Sequence, residues 1–187
     1  MSQAGRLLVA TPLIADPNFE RSVALVLAHS GEGALGVVVN RPSETTVAEV
    51  VPAWAGLAVG PGVVFVGGPV GRDQVIGVAR CPRIDDGPTW VPPGSGTGPI
   101  LGDCWTVDLN EAPEPGIQTD LRLFAGSAGW AAGQLEDELA EGAWWAVDAH
   151  PSDLVTSDPD GLWGRVLRRQ PGEVAWFANH PEDPSTN

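Results

Sequence analysis

Apolar runs of strand length recur along the chain, each closed by glycine or proline. They fall at residues 6–10, 23–28, 37–39, 63–66, 75–79, 100–108, 121–124 and 144–148. Valine is abundant in them, and its branched side chain suits a pleated, buried surface. Helical spacing is confined to three places. Thr46 followed by Glu49 makes a capping box ahead of a short helix that Pro52 must stop. Over residues 130–141, Leu135 and Leu139 recur one turn apart. Glu136, Asp137, Glu138 and Glu141 take the remaining surface, and Gly142 closes the C-terminal end. Asp158 is placed to cap and Pro159 to enter a third helix, whose stripe is Leu162, Trp163, Val166 and Leu167. Many strands with few, unevenly spaced helices predict an α+β fold: a strand-rich mixed or antiparallel sheet with a few helices packed on it.

The length of 187 residues suits one domain, with a core over about residues 5–180 and a polar tail at 181–187. Residues 82–98 and 110–119, rich in proline or glycine, read as surface loops. The opening stretch reads as a first strand rather than a signal peptide, because Thr11-Pro12 interrupts its apolar run. The run at 23–28 is far short of the roughly 20 residues a membrane span needs. Two isolated cysteines, Cys81 and Cys104, offer neither a disulfide framework nor a zinc ribbon, so the expected compartment is the reducing cytoplasm.

Charge narrows the chemistry. The chain carries 24 acidic residues against 10 basic ones, every one arginine, for a net charge of -14. With no lysine and no tyrosine, Schiff-base, pyridoxal-phosphate and Walker-type phosphate chemistry are excluded. An acidic chain resists the counterion release that drives binding to DNA, which argues against direct contact with nucleic acid. The concentration of positive charge at Arg165, Arg168 and Arg169 sits at a helix C-terminal end, where it complements the dipole. No cofactor and no metal is expected: no His or Cys pair has zinc-helix spacing, and the aspartate pairs lack the other ligands of a calcium loop.

Gly31-Glu32-Gly33-Ala34-Leu35-Gly36 matches a dinucleotide fingerprint, but Val37-Val38-Val39 follows where a helix is required. It therefore reads as a hairpin turn. Gly126-Ser127-Ala128-Gly129 is one residue short of a nucleophile elbow. If the hairpin forms, its outer ends bring together two segments: Asp16-Pro17-Asn18-Phe19-Glu20-Arg21-Ser22 and Asn40-Arg41-Pro42. Gly67-Gly68-Pro69 adds a sharp turn whose N–H groups are open to a ligand. His29 closes the strand at 23–28 that Ser22 leads into. Seven residues apart on one strand, these two side chains point to opposite faces.

These segments, with Gly5 to Ala10, Gly36 to Asn40, and Leu121 to Trp130 followed by Gly133-Gln134-Leu135, resemble the YqgE/AlgH family of bacterial proteins. The resemblance implies a single α+β domain and carries no established reaction. The chain departs from the family pattern at Ala79, where many relatives carry histidine, and at Ser127, where a larger residue is common.

The candidate ligand-binding residues are Asp16, Asn18, Arg21, His29, Asn40, Arg41, Gly67, Gly68 and Gln134. The leading expectation is a binding or regulatory module that recognises a small anionic ligand or a protein partner. A hydrolase using His29 with Ser22 or Asp16 is the alternative. A DNA-binding regulator stands behind both.

Overall fold

The computed structural model describes residues 2–81 and 99–179. Nine strands form one mixed sheet: β1 Arg6–Ala10, β2 Val23–Ser30, β3 Gly33–Val38, β4 Pro42–Thr46, β5 Val63–Val66, β6 Val70–Arg80, β7 Cys104–Val107, β8 Asp120–Ala131 and β9 Trp144–Asp148. The order is β4-β5-β8-β3-β2-β1-β9, with β6 also pairing with β8 and β7 lying on β6. Only β5 and β8 run parallel; the other ladders are antiparallel. Four short α-helices, α1 Val47–Val50, α2 Gln134–Ala140, α3 Pro151–Leu154 and α4 Leu162–Arg168, join 3-10 turns at Pro52–Leu57 and Gly172–Asn179. The α+β architecture agrees with the expectation.

β8 joins the two halves of the sheet. Its first half pairs with β5 and β6, and its end pairs with β3. Gly126 lies between the halves at φ 71°, a conformation that favours glycine. This residue changes which face the even positions supply. Phe124 belongs to the cluster with Phe65 and the α4 residues Leu162, Trp163, Val166 and Leu167. Beyond the glycine, Ala128 and Trp130 join Leu135 of α2 and Trp144 on the other side. A third cluster holds Val47, Trp54, Leu121 and Leu123.

Several elements differ in extent from the sequence reading. β3 begins at Gly33, because only Gly31 and Glu32 are needed for the turn. β7 is confined to Cys104–Val107; Gly102 at φ 55° turns the preceding residues. α2 starts at Gln134 rather than near Trp130, since β8 runs on to Ala131 and Gly133, at φ 78°, separates strand from helix. The capping interaction at α1 forms as expected: the Thr46 N–H and hydroxyl both donate to the Glu49 carboxylate at 2.7 Å. These bonds hold that carboxyl below its ordinary range. Asp158 accepts from the Gly161 N–H at 3.2 Å and ties down the turn before α4. The predicted loop at 82–98 and the tail lie outside the described residues.

Candidate functional site

The loop from Asp16 to Ser22 is tied down at every predicted polar position. Asp16 Oδ1 accepts from the backbone N–H and the side-chain amide of Asn18, at 2.8 and 3.0 Å. The Phe19 and Glu20 N–H groups both donate to the Asp16 carbonyl. Asn18 in turn accepts from Arg72 at 3.3 Å. From across the hairpin, Asn40 Oδ1 accepts from the Val23 N–H at 2.8 Å, and its amide donates to the Arg21 carbonyl at 3.0 Å. Arg41 donates to the Pro17 carbonyl at 2.6 Å and to that of Glu20 at 2.8 Å. Partial burial draws the Arg41 pKa down, with Glu20 and Asp16 opposing it.

Two side chains anchor the loop to opposite faces of the sheet. Phe19 packs edge-on against Trp144, with centroids 5.7 Å apart. Arg21 lays its guanidinium 4.2 Å over the Trp163 ring, a cation–π contact. Arg21 does so from φ 52°, the only positive φ of a non-glycine residue among the described ones. Such strain persists where the surroundings over-determine it.

Gly67 and Gly68 serve the fold. The Gly67 N–H donates to the Ala125 carbonyl, and its own carbonyl accepts from Val38. A Cβ at Gly67 would meet the Gly126 carbonyl oxygen, and one at Gly68 the Ser127 backbone, in each case at a distance no real Cβ tolerates. Backbone passes against backbone here.

His29 lies elsewhere. It and Ser22 stand at opposite ends of β2, about 23 Å apart at strand rise, so the arrangement supplies no Ser22–His29 pair. The imidazole is almost fully buried. Its Nδ1 accepts from the Gln3 N–H at 2.9 Å, and its Nε2 lies 2.9 Å from Glu136. With Nδ1 accepting, Nε2 carries the proton and donates to the carboxylate. Both nitrogens are thus occupied in holding the N-terminal segment and α2 to the strand.

The row His29, Ala34 and Trp130 crosses β2, β3 and β8 in register. α2 is fixed along it. Glu138 Oε2 accepts both indole N–H groups, from Trp130 at 2.9 Å and Trp144 at 2.7 Å, while its Oε1 accepts from Gln134 at 2.8 Å. Gln134 Oε1 also accepts from the Ala131 N–H. A shallow groove of about 320 Å³ lies beside this row, lined by His29, Glu32, Leu35 and Trp130. The predicted site residues therefore form two groups: Asp16, Asn18, Arg21, Asn40, Arg41, Gly67 and Gly68 at one end of the hairpin, and His29 with Gln134 at the other.

Two structural centres were not singled out by the sequence. Glu138 read as one acidic surface residue among four. Arg122 read as an ordinary arginine, yet it is 1% exposed. Its guanidinium lies 4.3 Å over Phe65 and donates to the carbonyls of Gly60 at 3.0 Å, Thr156 at 2.7 Å and Leu154 at 3.4 Å. Burial draws its pKa down to about 10. Ser22 is fully buried, and its hydroxyl has no hydrogen-bond partner among the described residues. Among those residues no group of three His, Cys, Asp or Glu is arranged to hold a metal. No described helix is long and apolar enough to cross a membrane.

A family model described as AlgH-like matches residues 7–175. The chain belongs to the AlgH-like family. It is 49% identical over 191 residues to a UPF0301 protein of Streptomyces avermitilis, covering all of this chain and 96% of that one. Identity to a relative from Streptomyces coelicolor is 50% over 189 residues, with the same coverage. A crystal structure of a Corynebacterium diphtheriae protein superposes with a TM-score of 0.85 at 31% identity, covering 95% of this chain and 92% of that one. The solution structure of AlgH from Pseudomonas aeruginosa gives 0.65 at 26% identity, covering 97% and 95%. The AlgH-like family carries no established reaction, and its motifs in this chain map onto the pinned loop, the glycine junction and the seat of α2. Ala79, where the family pattern often has histidine, is fully buried beside Leu121 in register.

Proposed function

We propose that this AlgH-like protein is a non-catalytic, protein-binding module of the bacterial cytoplasm with a regulatory role, and that loop 12–22 is its recognition surface. The observation that carries this reading is the immobilisation of the loop. Arg41 and Asn40 grip its backbone, Phe19 and Arg21 anchor it to both faces of the sheet, and Arg21 holds a strained φ. A loop ordered in advance loses little entropy when a partner docks. At its outer turn Leu13 is 74% exposed, an apolar anchor in a segment that also carries Asp16 and Glu20. The same geometry favours a protein over a small anion, because Arg41 is committed to the loop's own carbonyls and Arg21 to Trp163.

A photo-crosslinking residue placed at Leu13 in the living bacterium tests this. A discrete covalent adduct is expected at Leu13, several-fold weaker in an Arg41→Ala background and absent when the same group is placed at Glu44. No adduct at Leu13, or one of equal yield at all three, would refute the loop as a recognition surface.

A further inference from the structure

The segment before β1 runs along the outer edge of β2, turned by Gly5 at φ 77°. Three bonds hold it there. The Gly5 N–H donates to the Val26 carbonyl at 2.8 Å, the Ser2 hydroxyl to the His29 carbonyl at 3.3 Å, and the Gln3 N–H to His29 Nδ1 at 2.9 Å. Ser2 and Ala4 are exposed, whereas the imidazole is only 5% exposed. A surface segment is thus pinned to a buried ring, whose Nε2 meets Glu136 of α2 at 2.9 Å on the other side.

The neutral ring satisfies both neighbours, because it holds one acceptor and one donor. A second proton changes one side and not the other. Taken from water onto Nδ1, it leaves the Nε2–H bond to Glu136 in place and makes it an ion pair, but it sets an N–H against the Gln3 N–H. Two donors cannot share that contact. Among the described residues, the charged groups facing the ring are Glu136 from α2, Glu32 from the turn, which lines the same groove, and Arg6 from β1. Arg6 reaches it only through Gln3 Oε1, at 3.2 Å. β3 and β8 supply Ala34 and Trp130 to its row, and no charge.

We infer that His29 is a pH-sensitive pin, neutral while residues 2–4 cover the edge of β2 and charged when they let go, with Gly5 as the hinge. The closed segment binds one proton fewer than the open one, so acid drives the opening. Protonation of a buried histidine then acts as a local switch. Glu136 holds α2 to the ring in both states, which confines the change to the N-terminal segment and uncovers β2 at His29. The inference rests on this ring and does not depend on loop 12–22.

The test is a pH titration of the isotope-labelled full chain by NMR, from about pH 8 to 5, following the His29 ring nitrogens and the Gln3 amide together. As the ring charges, the Gln3 amide should lose about tenfold of its exchange protection, corrected for the intrinsic rate, while exchange across α2 is unchanged. His29→Asn places an amide oxygen where Nδ1 stood, so Gln3 should stay protected throughout. Gln3→Pro removes the donor without touching the core, and should hold the Ala4 resonance at its acid position at every pH. A ring that charges while the Gln3 amide stays protected, or one that stays neutral down to the pH at which the whole chain unfolds, would overturn the proposal. So would equal opening in His29→Asn, or an Ala4 resonance that still titrates in Gln3→Pro.

Discussion

Arg41 clasps the loop through Glu20: one guanidinium nitrogen donates to the Glu20 carbonyl at 2.8 Å while its neighbour reaches Pro17 at 2.6 Å. The planar fork spans two backbone oxygens three residues apart in sequence, which the single point of a lysine ammonium does not reproduce. Together with Asn40 this contact turns a polar cluster into a structural clasp. Side chains that read as ligand-binding from the sequence spend their hydrogen bonds on the loop itself.

Arg21 combines an unfavourable backbone angle with a favourable ring contact. A left-handed φ costs a non-glycine residue about 1–2 kcal/mol, against about 0.5–1 kcal/mol for a cation–π contact. Arg21→Ala is expected to lower stability because it keeps the strain and loses the Trp163 contact. Arg21→Gly should be the more stable of the two by about 1 kcal/mol. Urea unfolding of both variants checks the order.

Among the described residues Glu138 is the sole acceptor for the two buried indoles of Trp130 and Trp144. Glu138→Ala leaves both N–H groups without it and is expected to cost about 2–4 kcal/mol. Glu138→Gln retains one carbonyl oxygen for the indoles but turns an amide towards the Gln134 amide, so it should fall between wild type and alanine. Tryptophan emission, shifted to the red most strongly in the alanine variant, and chemical denaturation measure this.

Arg122 holds Gly60, Leu154 and Thr156 to the sheet from inside. Arg122→Met fills much of the volume but leaves three carbonyls without their donor, and a loss of about 3 kcal/mol or more is expected. Lysine should rescue only in part, since it lacks the fork and the flat face that meets Phe65. Thermal and urea unfolding of the two variants separate these contributions.

Cys104 governs part of the alkaline behaviour. Burial, reinforced by the Asp103 charge, pushes its thiol from an ordinary value of 9.0 up to about 12. The native state therefore keeps the proton that the unfolded state releases. This contribution to stability is present in full below the unfolded value and declines as pH rises towards 12. Arg122, drawn down to about 10, acts in the opposite sense above that pH. Cys81, whose thiol is also pushed up by burial, acts in the same sense as Cys104, so between pH 9 and 10 Cys104→Ala should flatten the fall in unfolding free energy only in part. Native protein should also react with iodoacetamide at Cys104 only after denaturant is added.

The α+β class was legible because valine-rich runs and three helical stripes announce elements that bury one side or both. The site was less so. Leu121-Arg122-Leu123-Phe124 reads as alternation with arginine facing water, but β8 is covered on both faces, and the outward position becomes interior. β4, Pro-Ser-Glu-Thr-Thr, is polar and largely exposed at the end of the sheet, so it leaves no hydrophobic trace. The glycines around Gly126 look like the end of a strand, whereas a single left-handed residue lets β8 continue with its faces exchanged. Asn40 and Arg41 were correctly placed beside the loop by the hairpin argument. Their donors and acceptors pair with backbone groups, which no residue pattern reveals.

The most direct measurement of the central claim is amide hydrogen exchange across residues 16–23 in the intact protein. The Phe19, Glu20 and Ser22 amides have acceptors within the clasped loop, and the Val23 amide donates to Asn40 Oδ1 across the hairpin. They are predicted to exchange with protection close to that of β2, and Arg41→Ala should strip it from Phe19 and Glu20 while leaving β2 unchanged. Exchange of these amides at the rate of an unstructured chain in the wild-type protein would contradict a recognition surface formed in advance.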